Sequence, residues 1–217
     1  IVSKGYLDGF YYKPRVDKEL LKEYSEGIIA LSACLKGEVA QLIHQGHPEM
    51  AEEAAIEYAG IFGENNFFLE IQRHGLEPDE MVTEGVLKIA KNTGIPLVAT
   101  NDAHYLKADH SSSHEVLLCI STGKTLDDPN RMRMQTDQLY LKSPDEMKEL
   151  FSDVPEAIEN TVKIAERCDV EINTSEFHTV KFDVPTDFEG NSDDYLVHIT
   201  ELGMKDRYGA DAEKHRE

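Results

Sequence analysis

The spacing of apolar residues changes along the chain, and each change predicts an element. Ile28-Ile-Ala-Leu-Ser and Pro96-Leu-Val-Ala-Thr are short apolar runs, and Phe67 to Gln72 alternates apolar with polar. Stretches of this length predict short, buried strands. Between them, apolar residues recur at helical spacing. Met50, Ala54, Ala55, Tyr58, Ala59 and Phe62 mark a helix over Pro48 to Phe62. Met81, Val82, Val86, Leu87, Ile89 and Ala90 mark another over Glu77 to Thr93, with Pro78 in its first turn and Gly94 at its end. Asp17 predicts the N-cap of a helix over 18–25 closed by Gly27, and a further helix is expected between Gly37 and Gly46. Residues 1–16, with Tyr6, Phe10, Tyr11 and Tyr12, read as a helix end and turn packed on a core. The order strand, helices, strand, helix, strand predicts an α/β fold with a parallel sheet or barrel. Three strands cannot close a barrel, so further strands are expected outside this chain.

After Tyr105 the character changes. A helix is expected over 109–121, with His114, Val116, Leu117, Leu118 and Ile120, then a polar loop over 122–137 and a short strand over 138–141. Ser143-Pro-Asp-Glu has the spacing of a capping box and opens a helix. Pro155 to Cys168 predicts another. Residues 174–187 lack helical period, and Ser192 is expected to cap a last helix through Leu196, Ile199 and Met204. This places a domain boundary near residue 176, dividing the chain into 1–176 and 177–217. Ile1 to Phe10 reads as the tail of an earlier helix. Asp211 to Glu217 is a charged helical run without a stop signal, so the chain reads as part of a longer protein.

Strand alternation then sorts the chemistry. Leu97 and Ala99 point one way, and Val98, Thr100, Asp102 and His104 the other. Phe67, Leu69 and Ile71 share one face, and Phe68, Glu70, Gln72 and His74 the opposite one. Ile28, Ala30, Ser32 and Cys34 share a face of the first strand. Polar groups on an inward face are costly unless hydrogen-bonded or ligand-bound. Cys34, Glu70 or Gln72, His74, Asp102 and His104 therefore gather at the C-terminal ends of three successive strands, where ligands collect in α/β folds. Thiolate, imidazole and carboxylate together suit Zn²⁺, Mn²⁺ or Fe²⁺ better than Mg²⁺. Such ions activate water and clamp a phosphoryl oxygen, which makes phosphoester hydrolysis the natural chemistry of a complete site. Cys34, His74, Asp102 and His104 are the candidate metal ligands, with Glu70 hydrogen-bonding in support. The bland alternatives are a buried apolar role for Cys34, a hydrogen-bonded turn histidine for His74 before Gly75, and a solvated loop for Asp102 and His104. His44, His47, His178, His198 and His215 sit in surface-like contexts. His110 and His114 follow the site closely, and His114 reads as packing or support for it. No Gly-rich phosphate loop, serine elbow or CxxC pair is present.

Composition narrows the partners. Lys and Arg number 22 and Asp and Glu 42, so the net charge is −20, and this excess argues against the chain gripping nucleic acid by itself. Hydrophobic content of 40% and charged content of 29% suit a soluble globular protein, and no apolar run reaches membrane-span length. Three widely spaced cysteines, Cys34, Cys119 and Cys168, suit a reducing cytoplasm.

Several segments resemble one family. They are Gly9-Phe-Tyr-Tyr-Lys-Pro-Arg, Ala30-Leu-Ser-Ala-Cys-Leu-Lys-Gly-Glu, Phe68-Leu-Glu-Ile-Gln-Arg-His-Gly and Thr100-Asn-Asp-Ala-His-Tyr-Leu. His114-Glu-Val-Leu-Leu-Cys-Ile-Ser-Thr-Gly-Lys-Thr-Leu, Glu156-Ala-Ile-Glu-Asn-Thr-Val-Lys-Ile-Ala-Glu-Arg-Cys and the stretch from Asp194 to Tyr208 extend the match. Together they resemble the polymerase-and-histidinol-phosphatase (PHP) domain of bacterial replicative DNA polymerase III alpha subunits. The resemblance implies a distorted (βα)7 barrel, here lacking its N-terminal strands, followed by helical segments and the start of a palm domain from about residue 177. It matches Asp102 and His104 to the last metal motif and Cys34 to a position that binds metal in some members. His74 lies in a segment typical of the family. The opening His-x-His motif and the polymerase aspartates are expected outside this chain, so no catalytic residue is assigned within it. The implied cofactors are Zn²⁺ or Mn²⁺ in the PHP site and Mg²⁺ for polymerisation. The implied partners are DNA, dNTPs, a sliding clamp and a proofreading subunit, with no membrane. The PHP site would be either a 3′–5′ exonuclease or a structural buttress. The alternatives to this reading are a stand-alone PHP phosphoesterase, such as a histidinol-phosphatase-like enzyme, and a purely structural interaction domain.

Overall fold

The computed structural model describes residues 1–177 and 179–215; His178 and the end of the expected C-terminal run, Arg216 and Glu217, lie outside the described residues. The chain forms two compact units, Ile1–Asp169 and Val170–Glu217.

In the first unit, three strands build a parallel sheet in the order β1 (Ala30–Leu31), β2 (Phe67–Ile71), β3 (Leu97–Ala99). Ala30 pairs with Phe67, and Leu69, Glu70 and Ile71 pair with Leu97, Val98 and Ala99. Around it run α1 (Val2–Leu7), α2 (Lys18–Glu23), α3 (Glu38–His44), α4 (Pro48–Phe62), α5 (Glu77–Thr93), α6 (Ser111–Thr122), α7 (Pro144–Leu150) and α8 (Pro155–Arg167). The alternation predicted from sequence decides which face meets the helices. Phe67, Leu69, Ile71, Leu97 and Ala99 pack in one core with Val39, Ala51, Val86, Phe151 and Ala157. The opposite face carries Glu70, Gln72 and Thr100, tied to one another. Gln72 Nε2 donates to Thr100 Oγ1 (2.9 Å) and to Glu70 Oε1 (3.2 Å), and the Thr100 hydroxyl donates to Glu70. The side chain of Asn160 in α8 donates to the Leu97 carbonyl (2.8 Å) and so caps part of the β3 edge.

Local chemistry sets the boundaries. Asp17 caps α2 by accepting from the Leu20 N–H (2.8 Å). Gly94, at φ 75, ends α5 in the left-handed conformation that favours glycine. Ser143 and Glu146 make the reciprocal capping box. The Ser143 N–H and hydroxyl, with the Tyr140 hydroxyl, hold Glu146 down at about 2.

Several expectations are corrected. The first strand is shorter than 28–32, because the Ile28 N–H turns back to the Ser25 carbonyl (3.1 Å). Tyr6, Phe10, Tyr11 and Tyr12 are exposed rather than packed on a core. They stack on one another instead, Tyr6 on Phe10 and Tyr11 against Tyr12, with Arg15 over the Tyr11 ring. Met81 is exposed, because the face that α5 buries runs through Asp79, Val82, Thr83, Val86 and Ile89. Residues 138–141 make one bridge, Tyr105 to Tyr140, instead of a strand. In α6, Cys119 is buried while Val116, Leu117 and Ile120 are exposed.

Lys18 joins Glu38 (2.9 Å) and Glu57 (2.6 Å), and the Tyr58 hydroxyl donates to Glu38 (2.7 Å). Burial, reinforced by this hydrogen bond, pushes Tyr58 up to about 12. Between about pH 10, the ordinary tyrosine value, and 12 the folded chain keeps a proton that the unfolded chain releases, so this group's contribution to stability falls across that window. A tyrosinate absorbance titration should show a late step near pH 12 that Tyr58→Phe removes. A late step that persists in that variant contradicts the assignment.

In the second unit, α9 (Ser192–Tyr208) is followed by a 3-10 segment, Gly209–His215. Its cap is Asn191 rather than the expected Ser192. The Asn191 side chain accepts from the Asp193 and Asp194 N–H groups, and Asp194 reciprocates. Tyr195 stacks on Phe182 and meets Phe188 edge-on.

Candidate metal centre

β3 ends at Ala99, and the chain runs on through Asp102 to His104 along the rim of the sheet. The His104 N–H and the Tyr105 N–H both meet the Leu139 carbonyl (2.8 and 3.3 Å), which fixes the backbone there. Asp102 Oδ2 and His104 Nε2 lie 3.2 Å apart, both side chains partly exposed. The two side chains are therefore in contact with each other, as their place on one face allows. The ring of His114, from α6, sits 5.4 Å from those of His104 and Tyr105. Beyond lies a cavity of about 670 Å³ lined in part by His74, Tyr105, Ser111, His114, Glu115 and Thr136. The Tyr105 hydroxyl is buried with no hydrogen-bond partner among the described residues.

His74 is buried at the end of β2 and is held by three other elements. A backbone N–H can only donate, so the Asp102 N–H, 3.2 Å from His74 Nε2, identifies Nε2 as the nitrogen bearing the lone pair. The proton of the neutral ring is then on Nδ1, which lies 3.4 Å from Asp79 Oδ2. The same carboxylate oxygen accepts the His74 backbone N–H (3.0 Å), and the Thr136 hydroxyl donates to the His74 carbonyl (2.7 Å). Burial pushes the His74 pKa down, in keeping with a neutral ring. Both ring nitrogens are thus engaged, and a metal at Nε2 would have to displace the Asp102 N–H.

Cys34 is exposed on the loop after β1, where the backbone turns through Ala33 at φ 65. It lines a small cleft with Glu70, Gln72, Asp79 and Thr83, not the Asp102–His104 rim. Glu70 is held by Ser32, whose hydroxyl accepts the Glu70 N–H (2.8 Å), and by Thr100 and Gln72. Among the described residues, no group of three or more His, Cys, Asp and Glu side chains is arranged to hold a metal ion. Zinc sites use three or four protein ligands. Two converging donors do not fit a resident ion by themselves, and no chemical step is assigned to one here. The expected meeting of Cys34 and His74 with Asp102 and His104 in one donor set is not found among the described residues. Cys34 shares its cleft with Asp79, and Asp79 and the Asp102 N–H face the two ring nitrogens of His74.

The structure also adds residues that the strand pattern missed. Asp79 sits in the first turn of α5, behind His74, and a carboxylate there, five residues after a strand-end histidine, was the available signal. Arg73 is the second. Its guanidinium reaches Asp153 (2.6 and 2.8 Å) and the Leu150 carbonyl (2.7 Å), and no local periodicity announces a partner eighty residues away.

Residues 1–74 match the family model described as the PHP domain. The chain is 43% identical over 212 residues to a DNA polymerase III subunit alpha of Treponema pallidum, covering 98% of this chain and 18% of that protein. It is 40% identical over 215 residues to the Thermus aquaticus protein of the same name, covering 96% and 17%. It is 49% identical over 166 residues to the Saccharopolyspora erythraea one, covering 76% and 14%. The chain thus spans less than a fifth of the length of the curated relatives it matches. With identity of this order along nearly its whole length, and a PHP match at its start, the chain matches a segment of bacterial DNA polymerase III alpha subunits.

Proposed function

We propose that this chain is the C-terminal portion of the PHP domain of a replicative DNA polymerase, with residues 177–217 as the start of its palm. The observation that carries the reading is 43% identity across 98% of the chain to a protein named DNA polymerase III subunit alpha. In the whole protein the reaction is template-directed nucleotidyl transfer from dNTPs to DNA, with Mg²⁺ at the polymerase site, in the cytoplasm, alongside a sliding clamp and a proofreading subunit. No described helix is long and apolar enough to cross a membrane. The short parallel sheet with helices on its outer face is what a segment of a distorted (βα)7 barrel would contribute.

Within that protein, Asp102 and His104 contribute two donors to a Zn²⁺ or Mn²⁺ site. Cys34, and His74 once the Asp102 N–H is released, are the further candidates within this chain. Bound there, the ion would supply the water activation of a 3′–5′ exonuclease, or else hold the PHP domain together against the polymerase. The chain's own residues set the rim: Leu139 fixes the backbone at His104, and His74 fixes it at Asp102.

The test uses the full-length alpha subunit carrying this segment. Asp102→Ala with His104→Ala is expected to lower bound Zn²⁺ or Mn²⁺ and any 3′–5′ exonuclease activity by at least about tenfold, the smallest loss typical of mutating even a hydrogen-bonding partner of a ligand. Primer extension should persist. Unchanged metal content in the double variant defeats the metal reading, and an alpha subunit that cannot extend a primed template defeats the polymerase reading.

A further inference from the structure

The side chains around His74 carry an inference that neither the family match nor the metal reading contains. His74 Nε2 is the acceptor of the Asp102 N–H, so the proton must be on Nδ1, and the Nδ1 atom faces Asp79. Asp79 is buried, stands in the first turn of a seventeen-residue helix, and accepts the backbone N–H of His74 through the same oxygen that lies 3.4 Å from the ring Nδ1. A carboxylate in that position accepts charge-assisted hydrogen bonds and favours the tautomer whose N–H it receives. The helix N-terminus stabilises the carboxylate's charge. Rotating or re-protonating the ring would leave the Asp102 N–H facing a second N–H and the Asp79 carboxylate facing a lone pair. Burial makes both mismatches costly.

We propose that Asp79 is a positioning residue of the rim: its carboxylate locks His74 as the Nδ1-protonated tautomer, and through His74 Nε2 it fixes the backbone at Asp102. Asp79 touches neither Asp102 nor His104 side chains in any hydrogen bond of the structure; it acts through His74. The relay runs from α5 to the end of β2 and on to the segment after β3, so three elements share one register at the rim. The Thr136 hydroxyl, on the His74 carbonyl, ties the loop before α7 to the same point. The inference rests on the proposed function only for why the rim matters; the relay is a property of this chain without any ion.

The experiment is long-range ¹H–¹⁵N correlation NMR of the histidine rings, with amide hydrogen exchange, on this 217-residue chain at neutral pH and without added metal. In the native chain His74 is expected as the Nδ1–H tautomer with a ring proton shifted downfield by the facing carboxylate and a protected Asp102 amide. In Asp79→Asn, which keeps the shape but accepts more weakly, the Nδ1 proton is expected to move upfield, and Asp102 amide exchange to rise several-fold, approaching about tenfold for a hydrogen bond largely lost. A proton on Nε2 in the native chain overturns the proposal. So does an Asp79→Asn variant with an unchanged His74 ring signal and unchanged Asp102 exchange. A residue that merely filled space would give that second result. The Zn²⁺ or Mn²⁺ content of the full-length alpha subunit separates the two readings. Its absence there bears on the metal site and leaves the tautomer result standing.

Discussion

Phe151→Ala is expected to destabilise the Ile1–Asp169 unit by about 3–5 kcal/mol, the range for truncating a fully buried phenylalanine. Phe151 is completely shielded from solvent at the C-cap of α7, and it packs in the core that holds Leu69, Ile71 and Ala157. Removing the ring leaves a cavity where α7 and α8 meet the sheet. It also strips the apolar surface beneath the Arg73 guanidinium, which lies 5.0 Å from the ring centroid. That cation–π contact adds about 0.5–2 kcal/mol to such losses. The Arg73–Asp153 pair itself is a smaller matter. Arg73 holds Asp153 below the usual carboxylate range, but Asp153 is more than half exposed, and exposed pairs are worth about 0–1 kcal/mol. Denaturant unfolding should therefore rank Phe151→Ala well below Arg73→Ala, with Phe151→Leu between Phe151→Ala and the native chain. Equal losses for Phe151→Ala and Arg73→Ala would show that the ring contributes through Arg73 and not through the core.

The contrast between Phe151 and His74 shows what the amino-acid pattern does and does not disclose. Periodicity located α4 and α5 to the residue, because apolar side chains at helical spacing must bury one stripe, and Pro48, Pro78, Gly63 and Gly94 punctuate the ends. Alternation sorted β2 and β3 correctly, with Leu69 and Leu97 toward the helices and Glu70 and Thr100 away from them. Pattern failed where partners come from distant chain. The aromatics of residues 1–16 looked like core, yet they stack among themselves. At the rim, alternation put Asp102 and His104 on one side, as observed, but it could not show that Asp79 and a backbone N–H would claim both nitrogens of His74. Nor could it show that Cys34, after a left-handed residue at Ala33, would lie exposed in a cleft shared with Asp79. Side-chain type raised the expectation of ligand chemistry; the competition for each lone pair is a three-dimensional fact.

Gly37→Ala is expected to cost about 1–3 kcal/mol, the range for forcing an extra methyl into a closed space, and to disturb the Cys34 loop specifically. The backbone dihedrals are not the obstacle, since Gly37 has φ −66 and ψ 152, which any residue adopts. The obstacle is contact. A Cβ at Gly37 would lie 2.3 Å from the Ser32 carbonyl oxygen and 3.2 Å from that of Cys34, both backbone atoms that cannot swing aside. The loop is closed here because the Gly37 N–H donates to the Cys34 carbonyl (2.7 Å), and Gly37 also caps α3. Relief must come from moving Ser32, and Ser32 is bonded to β2 twice, through its N–H to the Phe68 carbonyl (3.0 Å) and its hydroxyl from the Glu70 N–H (2.8 Å). Amide exchange should therefore show Glu70 losing protection while Leu69, which donates to Pro96 on the other side, keeps it. Gly27→Ala is the matched control. At φ 73 with nothing within 4 Å, it should cost about 1–2 kcal/mol through the backbone alone and leave Glu70 protected. If Gly37→Ala left Glu70 as protected as in the native chain, the Ser32–Gly37 contact would not be what places Cys34, and its loop could swing toward the Asp102–His104 rim without disturbing β2.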